Sequence, residues 1–126
     1  MTKKILVVDD EEYMHRLMGH HLVRAGYEII GARNGREAVS KAMGESPQLV
    51  LMDVMMPEMD GLAALSELKK SAATRDIPVI MLTTNARTLT KEEAEASGAA
   101  AFFTKPFSPT QLLLEIKRLL PESGVS

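Results

Sequence analysis

Apolar runs in this chain end abruptly at polar residues. Lys4-Ile5-Leu6-Val7-Val8 stops at Asp9-Asp10, Leu49-Val50-Leu51-Met52 at Asp53, and Val79-Ile80-Met81-Leu82 at Thr83. Ala101-Phe102-Phe103-Thr104 leads into Lys105-Pro106. The runs are continuous rather than alternating, which is the pattern of strands covered on both faces. Between them the period becomes helical. Met14, Leu17, Met18, Leu22 and Ala25 recur at helical spacing after Glu11-Glu12. Asp10 is placed to cap that helix, the glutamates suit its positive end, and Gly26 ends it. Residues 27–32 read as a short second strand. Asn34-Gly35 reads as a turn, and 36–43 as a helix with Ala38, Val39 and Ala42 inward, broken over 44–47. After a loop with Pro57 and Gly61, Leu62, Leu65 and Leu68 open a third helix. A weaker alanine- and glutamate-rich helix is predicted over 85–97, and Gly98 ends it. The last helix is predicted over 109–120, with Leu112, Leu113, Ile116, Leu119 and Leu120 on one face. Pro109 in its first turn and Pro121 after its end fit helix asymmetry.

Five strands thus alternate with five helices, without repeats or low-complexity tracts. Right-handed crossovers place the helices on both faces of a parallel sheet, an α/β architecture. In such sheets, sites form at the C-terminal ends of the strands, where Asp9, Asp10, Asp53, Thr83 and Lys105 fall.

Composition narrows the chemistry. The 126 residues suit one domain, and 45% apolar content is enough for a core. The absence of cysteine removes disulfides, thiolate nucleophiles and thiolate metal sites. The nine methionines are scattered through apolar segments and read as core filler. A formal charge of -2 gives no support for direct nucleic-acid binding. No apolar span is long enough to cross a membrane and no signal-peptide pattern precedes the first strand, so a cytoplasmic setting is expected.

Carboxylates gathered at neighbouring strand ends repel unless a cation intervenes. Oxygen-only ligands favour a hard divalent ion, and a small donor set completed by water suits magnesium. Lys105 adds a positive point charge and Thr83 a hydroxyl. Together they make a nest for a phosphoryl group. One aspartate attacks phosphorus, while metal and lysine neutralise the other oxygens and the hydroxyl binds one of them.

With these motifs in order, the chain resembles the receiver (phosphoacceptor) domain of two-component response regulators, the CheY-like family. The resemblance rests on Asp9-Asp10, on Asp53-Val54-Met55-Met56-Pro57-Glu58-Met59-Asp60-Gly61, on Leu82-Thr83, and on Gly98-Ala99 leading to Lys105-Pro106-Phe107. It implies a flavodoxin-like (βα)5 three-layer sandwich with a five-stranded parallel sheet of order 2-1-3-4-5. The receiver would span 1–121, with 122–126 a tail or linker stub. Asp53 would be phosphorylated. Asp10, Asp53 and the backbone carbonyl of Met55 would ligate magnesium, and Asp9 would hold metal-bound water. Thr83 and Lys105 would contact the phosphoryl group. Phe102 would be the aromatic switch, and the Lys105-Pro106 bond would be cis. A histidine kinase or histidine phosphotransfer protein would donate from phosphohistidine, and the domain would catalyse its own phosphorylation and slower dephosphorylation without being a conventional turnover enzyme. Phosphorylation would draw Thr83 inward and leave space for Phe102. That would change the face made by the fourth helix, fifth strand and fifth helix, where an effector or a phosphorylation-dependent homodimer partner binds.

Some positions depart from the family pattern. Met55 is apolar and cannot orient an attacking water, so a phosphoryl lifetime longer than in the fastest members of the family is expected. Thr84 crowds the switch, and Ala100-Ala101 replace acidic residues common before the aromatic. Asn85 lies two after the switch hydroxyl, and Phe102 lacks a hydroxyl to secure an outward state. No acceptor-site group is missing. The competing reading is a degenerate receiver that binds proteins without phosphorylation. His15, His20 and His21 lack the i, i+4 ligand spacing and read as surface or partly buried helix residues near the donor-binding region. Glu92, Glu93 and Glu95 read as a solvated face. Leu114, off the last helix's main stripe, reads as an exposed leucine or a partner contact. Neither GxGxxG nor GxxxxGK[ST] occurs, and the adjacent Asp9-Asp10 lacks the DxD of haloacid-type phosphatases.

Overall fold

The apolar runs pair side by side, parallel throughout. Ile5 lies opposite both Ile29 and Leu49, Val50 opposite Val79, and Ile80 opposite Ala101. The computed structural model describes residues 3–56, 59–83 and 96–120. Its elements are β1 (Lys4–Val8), α1 (Glu12–Arg24), β2 (Glu28–Ala32), α2 (Gly35–Glu45), β3 (Leu49–Asp53), α3 (Gly61–Lys70), β4 (Val79–Thr83), β5 (Ala101–Thr104) and α4 (Pro109–Leu119). The sheet order is β2-β1-β3-β4-β5, the predicted flavodoxin-like arrangement. Most of the helix predicted over 85–97, together with Thr84, Asn85, Glu92, Glu93 and Glu95, lies outside the described residues. So do Pro57, Glu58 and the predicted tail.

Two apolar layers sandwich the sheet. On one face Leu6, Val8, Val50, Met52, Val79 and Met81 pack on Ala38 and Ala42 of α2 and Ala64, Leu65 and Leu68 of α3. On the other, Ile5, Val7, Leu49, Leu51, Ile80 and Leu82 pack on Met14, Met18 and Leu22 of α1 and Leu112 and Ile116 of α4. β3 and β4 are buried along their whole length. β5 is not the fully buried strand its apolar run suggested. It is an edge strand, and Phe102 and Phe103 are only half-buried.

Caps set most helix starts. The Asn34 side chain accepts from Glu37 N at 2.8 Å, that of Asp60 from Ala63 N at 2.8 Å, and that of Ser108 from Gln111 N at 3.3 Å. α2 therefore begins at Gly35, one residue earlier than its pattern suggested, and runs through Gly44 to end on Ser46 at φ 51°. The expected cap of α1 is corrected. Glu11, not Asp10, occupies the N-cap position and makes no side-chain cap bond. The Asp10 carboxylate instead joins the acidic cluster at the strand ends.

Candidate functional site

Register brings the strand ends together. Val8 is opposite Met52, Asp53 opposite Leu82, and Thr83 opposite Thr104. The chain leaving β3 donates from Val54 N to Leu82 O at 2.9 Å, and the chain leaving β5 donates from Lys105 N to Thr83 O at 2.6 Å. The post-β3 turn closes as Gly61 N donates to Val54 O at 2.9 Å. A Cβ on Gly61 would press into the Asp53 carbonyl oxygen and lie 2.8 Å from Met81 Cε, so only glycine fits beneath the end of β3.

Asp9, Asp10 and Asp53 each present a carboxylate oxygen, all within 4.8 Å of one another. Asp9 and Asp53 are buried and Asp10 is exposed. Lys105 Nζ lies 2.8 Å from Asp9 Oδ2, 3.4 Å from Asp53 Oδ2 and 3.9 Å from Glu11 Oε1. The remaining oxygens are held by amides two residues ahead: Asp9 Oδ1 accepts from Glu11 N at 2.9 Å, and Asp53 Oδ1 from Met55 N at 3.2 Å. His15 Nε2 bonds the Asp9 backbone oxygen at 2.7 Å.

Electrostatics follow from this arrangement. Burial raises the Asp53 carboxyl above the ordinary carboxylate range. The Lys105 ammonium offsets part of the rise, Asp9's charge adds to it, and the Met55 amide lowers it. Burial also disfavours charge on Lys105. The hydrogen bond and charge of Asp9, with the charge of Asp53, outweigh that and hold the amine above its usual value. Three carboxylates face one ammonium, so negative charge remains unmatched. Hard oxygen donors with surplus negative charge, and no nitrogen or sulfur ligand in the cluster, fit magnesium.

The remaining predicted residues lie nearby. Thr83 is buried at the end of β4, and Met55 is 49% exposed, two residues after Asp53. The Lys105–Pro106 peptide is cis. Strand alternation separates the groups. Asp9 and Asp53 continue the rows of Ile5 and Val7 and of Leu49 and Leu51, on the α1/α4 face. Thr83 continues the row of Val79 and Met81 on the α2/α3 face, where Phe102 also packs. Sequence reasoning missed three features: Lys105 reaching across 96 residues to Asp9, Glu11 at the rim, and His15 on the Asp9 carbonyl. The first two carry no local signal, because they are created by strand order.

A family model described as response regulator receiver domain matches residues 5–117. The chain belongs to this receiver family. It is 39% identical over 126 residues to the alkaline phosphatase synthesis transcriptional regulatory protein PhoP of Bacillus subtilis (strain 168), a match covering 100% of this chain and 52% of that protein. This receiver chain therefore spans about half the length of the curated relatives it matches. Among solved structures, it is similar to the Vibrio cholerae chemotaxis response regulator CheY4. The TM-score is 0.86 at 35% identity, covering 95% of this chain and 100% of that one. It is also similar to the receiver domain of a sensor histidine kinase from Pseudomonas aeruginosa PAO1, with TM-score 0.87 and 27% identity, over 97% of this chain and 100% of that one. That structure has a magnesium ion coordinated in its active site cleft.

Proposed function

We propose that this receiver is a magnesium-dependent phosphoryl switch with Asp53 as its acceptor. The observation that carries the reading is the Lys105 amine 3.4 Å from Asp53 Oδ2, beside three carboxylates that each bring an oxygen within 4.8 Å of the others. An Asp53 oxygen attacks the phosphorus of a phosphohistidine on a histidine kinase or histidine phosphotransfer protein. A P–O bond forms as the P–N bond breaks, and the donor imidazole leaves. Asp9, Asp10, Asp53 and the Met55 carbonyl would hold magnesium. When bound, it supplies positive charge against the phosphoryl oxygens. Lys105 adds its own charge there, and the Thr83 hydroxyl donates to a phosphoryl oxygen. Movement of Thr83 opens space for Phe102 and alters the face around β5 and α4, where an effector or a second copy docks. Water attack on the acyl phosphate resets the switch more slowly.

Residues 1–121 form the receiver and 122–126 a tail or linker, and the protein acts in the cytoplasm. Because PhoP is a transcriptional regulatory protein about twice this length, we favour the regulatory half of a larger regulator over a stand-alone module. A reading frame that stops at Ser126 would overturn that preference. The acceptor is tested by incubation with a small phosphodonor and magnesium, followed by intact mass. One phosphoryl group should be gained, and Asp53→Ala should gain none. No gain by the parent at any magnesium concentration would favour a phosphorylation-independent binding module.

A further inference from the structure

We propose that His15 is a positioning residue for the metal-binding aspartates, an inference that rests on the phosphoryl-switch reading. His15 lies in the first turns of α1 and is half-buried. Its Nε2 is 2.7 Å from the Asp9 backbone oxygen. A carbonyl only accepts, so Nε2 carries the hydrogen and donates it. This bond ties the helix back to the end of β1. The helix has no side-chain N-cap bond to do so.

A second, independent observation shows that the ring has a built seat. Gly31 lies inside strand β2, where glycine weakens the strand and marks close approach. A Cβ there would stand 3.1 Å from His15 Nδ1 and 3.3 Å from His15 Cε1. The missing side chain is thus the space against which the imidazole rests. Lys41 Nζ donates to the Gly31 carbonyl at 2.9 Å and holds the same stretch of strand.

His15 completes a set of restraints on Asp9. The Asp9 amide donates to Ala32 O at 3.1 Å, Oδ1 accepts from Glu11 N at 2.9 Å, and Oδ2 accepts from Lys105 at 2.8 Å. Lys105 is the restraint that transfers toward an arriving phosphoryl group. The His15 bond involves main chain and does not depend on that transfer. It keeps the Asp9-Asp10 turn aimed at Asp53 while Lys105 changes partner. Groups that orient metal ligands in this way typically set affinity.

The test measures magnesium binding by calorimetry on the full chain, without phosphodonor, beside thermal melts. His15→Leu keeps bulk but cannot donate, and should weaken magnesium binding about tenfold. His15→Gln retains an N–H donor and should bind within about threefold of the parent. Gly31→Ala pushes on the ring and should weaken binding. A merely structural histidine would lower the melting temperature in His15→Leu and His15→Gln alike while leaving affinity unchanged, and that result overturns the proposal. If His15→Leu does not fold, Gly31→Ala against His15→Gln decides: weaker binding in the former supports the role, and equal binding overturns it. A parent that binds no magnesium overturns the phosphoryl-switch reading and this role together. Parent binding matched by His15→Leu overturns only the role of His15.

Discussion

The two faces of the sheet end differently at the same edge. On the α1/α4 face, the rows of Ile5 and Val7 and of Leu49 and Leu51 end in buried aspartates that share one lysine. On the α2/α3 face, the row of Val79 and Met81 ends in Thr83, with half-buried Phe102 on the neighbouring edge strand. The charged face is held by mutual pairing, because each buried charge is costly without its partner. The α2/α3 face is held by packing that is incomplete at β5. On the proposed reading, phosphoryl chemistry uses the first property and a conformational response the second. The fold supplies both because adjacent positions on a strand point to opposite faces.

Substitutions should separate the two faces. The largest effect should come from Gly61→Ala, since a Cβ there meets the Asp53 backbone carbonyl and Met81. It should cost about 4 kcal/mol in denaturant unfolding, and a loss within error would show that the turn yields freely. Lys105→Met leaves Asp9 and Asp53 facing each other without a cation. It should cost about 3 kcal/mol without metal, and added magnesium should recover part of the loss in thermal melts. Phe102→Ala should cost about 2 kcal/mol, less than a fully buried aromatic, because β5 is an open edge. An equal cost on both faces would dissolve the contrast between them.

Asp53→Asn should act in the opposite direction, stabilising the metal-free protein at neutral pH. Asp53's folded pKa is raised, chiefly by burial. Its favourable contribution is therefore present below the unfolded value and lost as pH rises through the folded value. The asparagine advantage should accordingly exist at neutral pH and vanish as pH falls through that range. A constant advantage from acid to neutral pH would show that the shift is not the cause. Met55→Asn should change stability by less than about 0.5 kcal/mol, since Met55 is 49% exposed. It should speed loss of the phosphoryl group, and an unchanged hydrolysis rate would remove Met55 from the explanation of lifetime.

Much of this was legible in the chain itself. Continuous apolar runs identified β1, β3, β4 and β5, because doubly covered strands cannot alternate. Polar residues at their ends marked the site edge, and the spacing of the motifs pointed to the receiver family. Local rules failed where neighbours competed. Asp10 looked like a cap until tertiary structure drew its carboxylate into the cluster. The helix predicted over 36–43 extends to Gly35 because Asn34, a turn residue by local rules, caps it. β5 looked buried because hydrophobicity does not reveal whether a strand has one neighbour or two.

Sequence alone determined which groups stand at the strand ends, because side-chain type and period are local properties. Tertiary structure alone decided which of them meet. Lys105 reaches Asp9 across 96 residues only because β1, β3, β4 and β5 lie side by side in that order. It likewise decided that His15 rests on Gly31 and holds the Asp9 carbonyl. Neither pairing has a periodic signature, since the first depends on the order of the strands and the second on how α1 packs against β2.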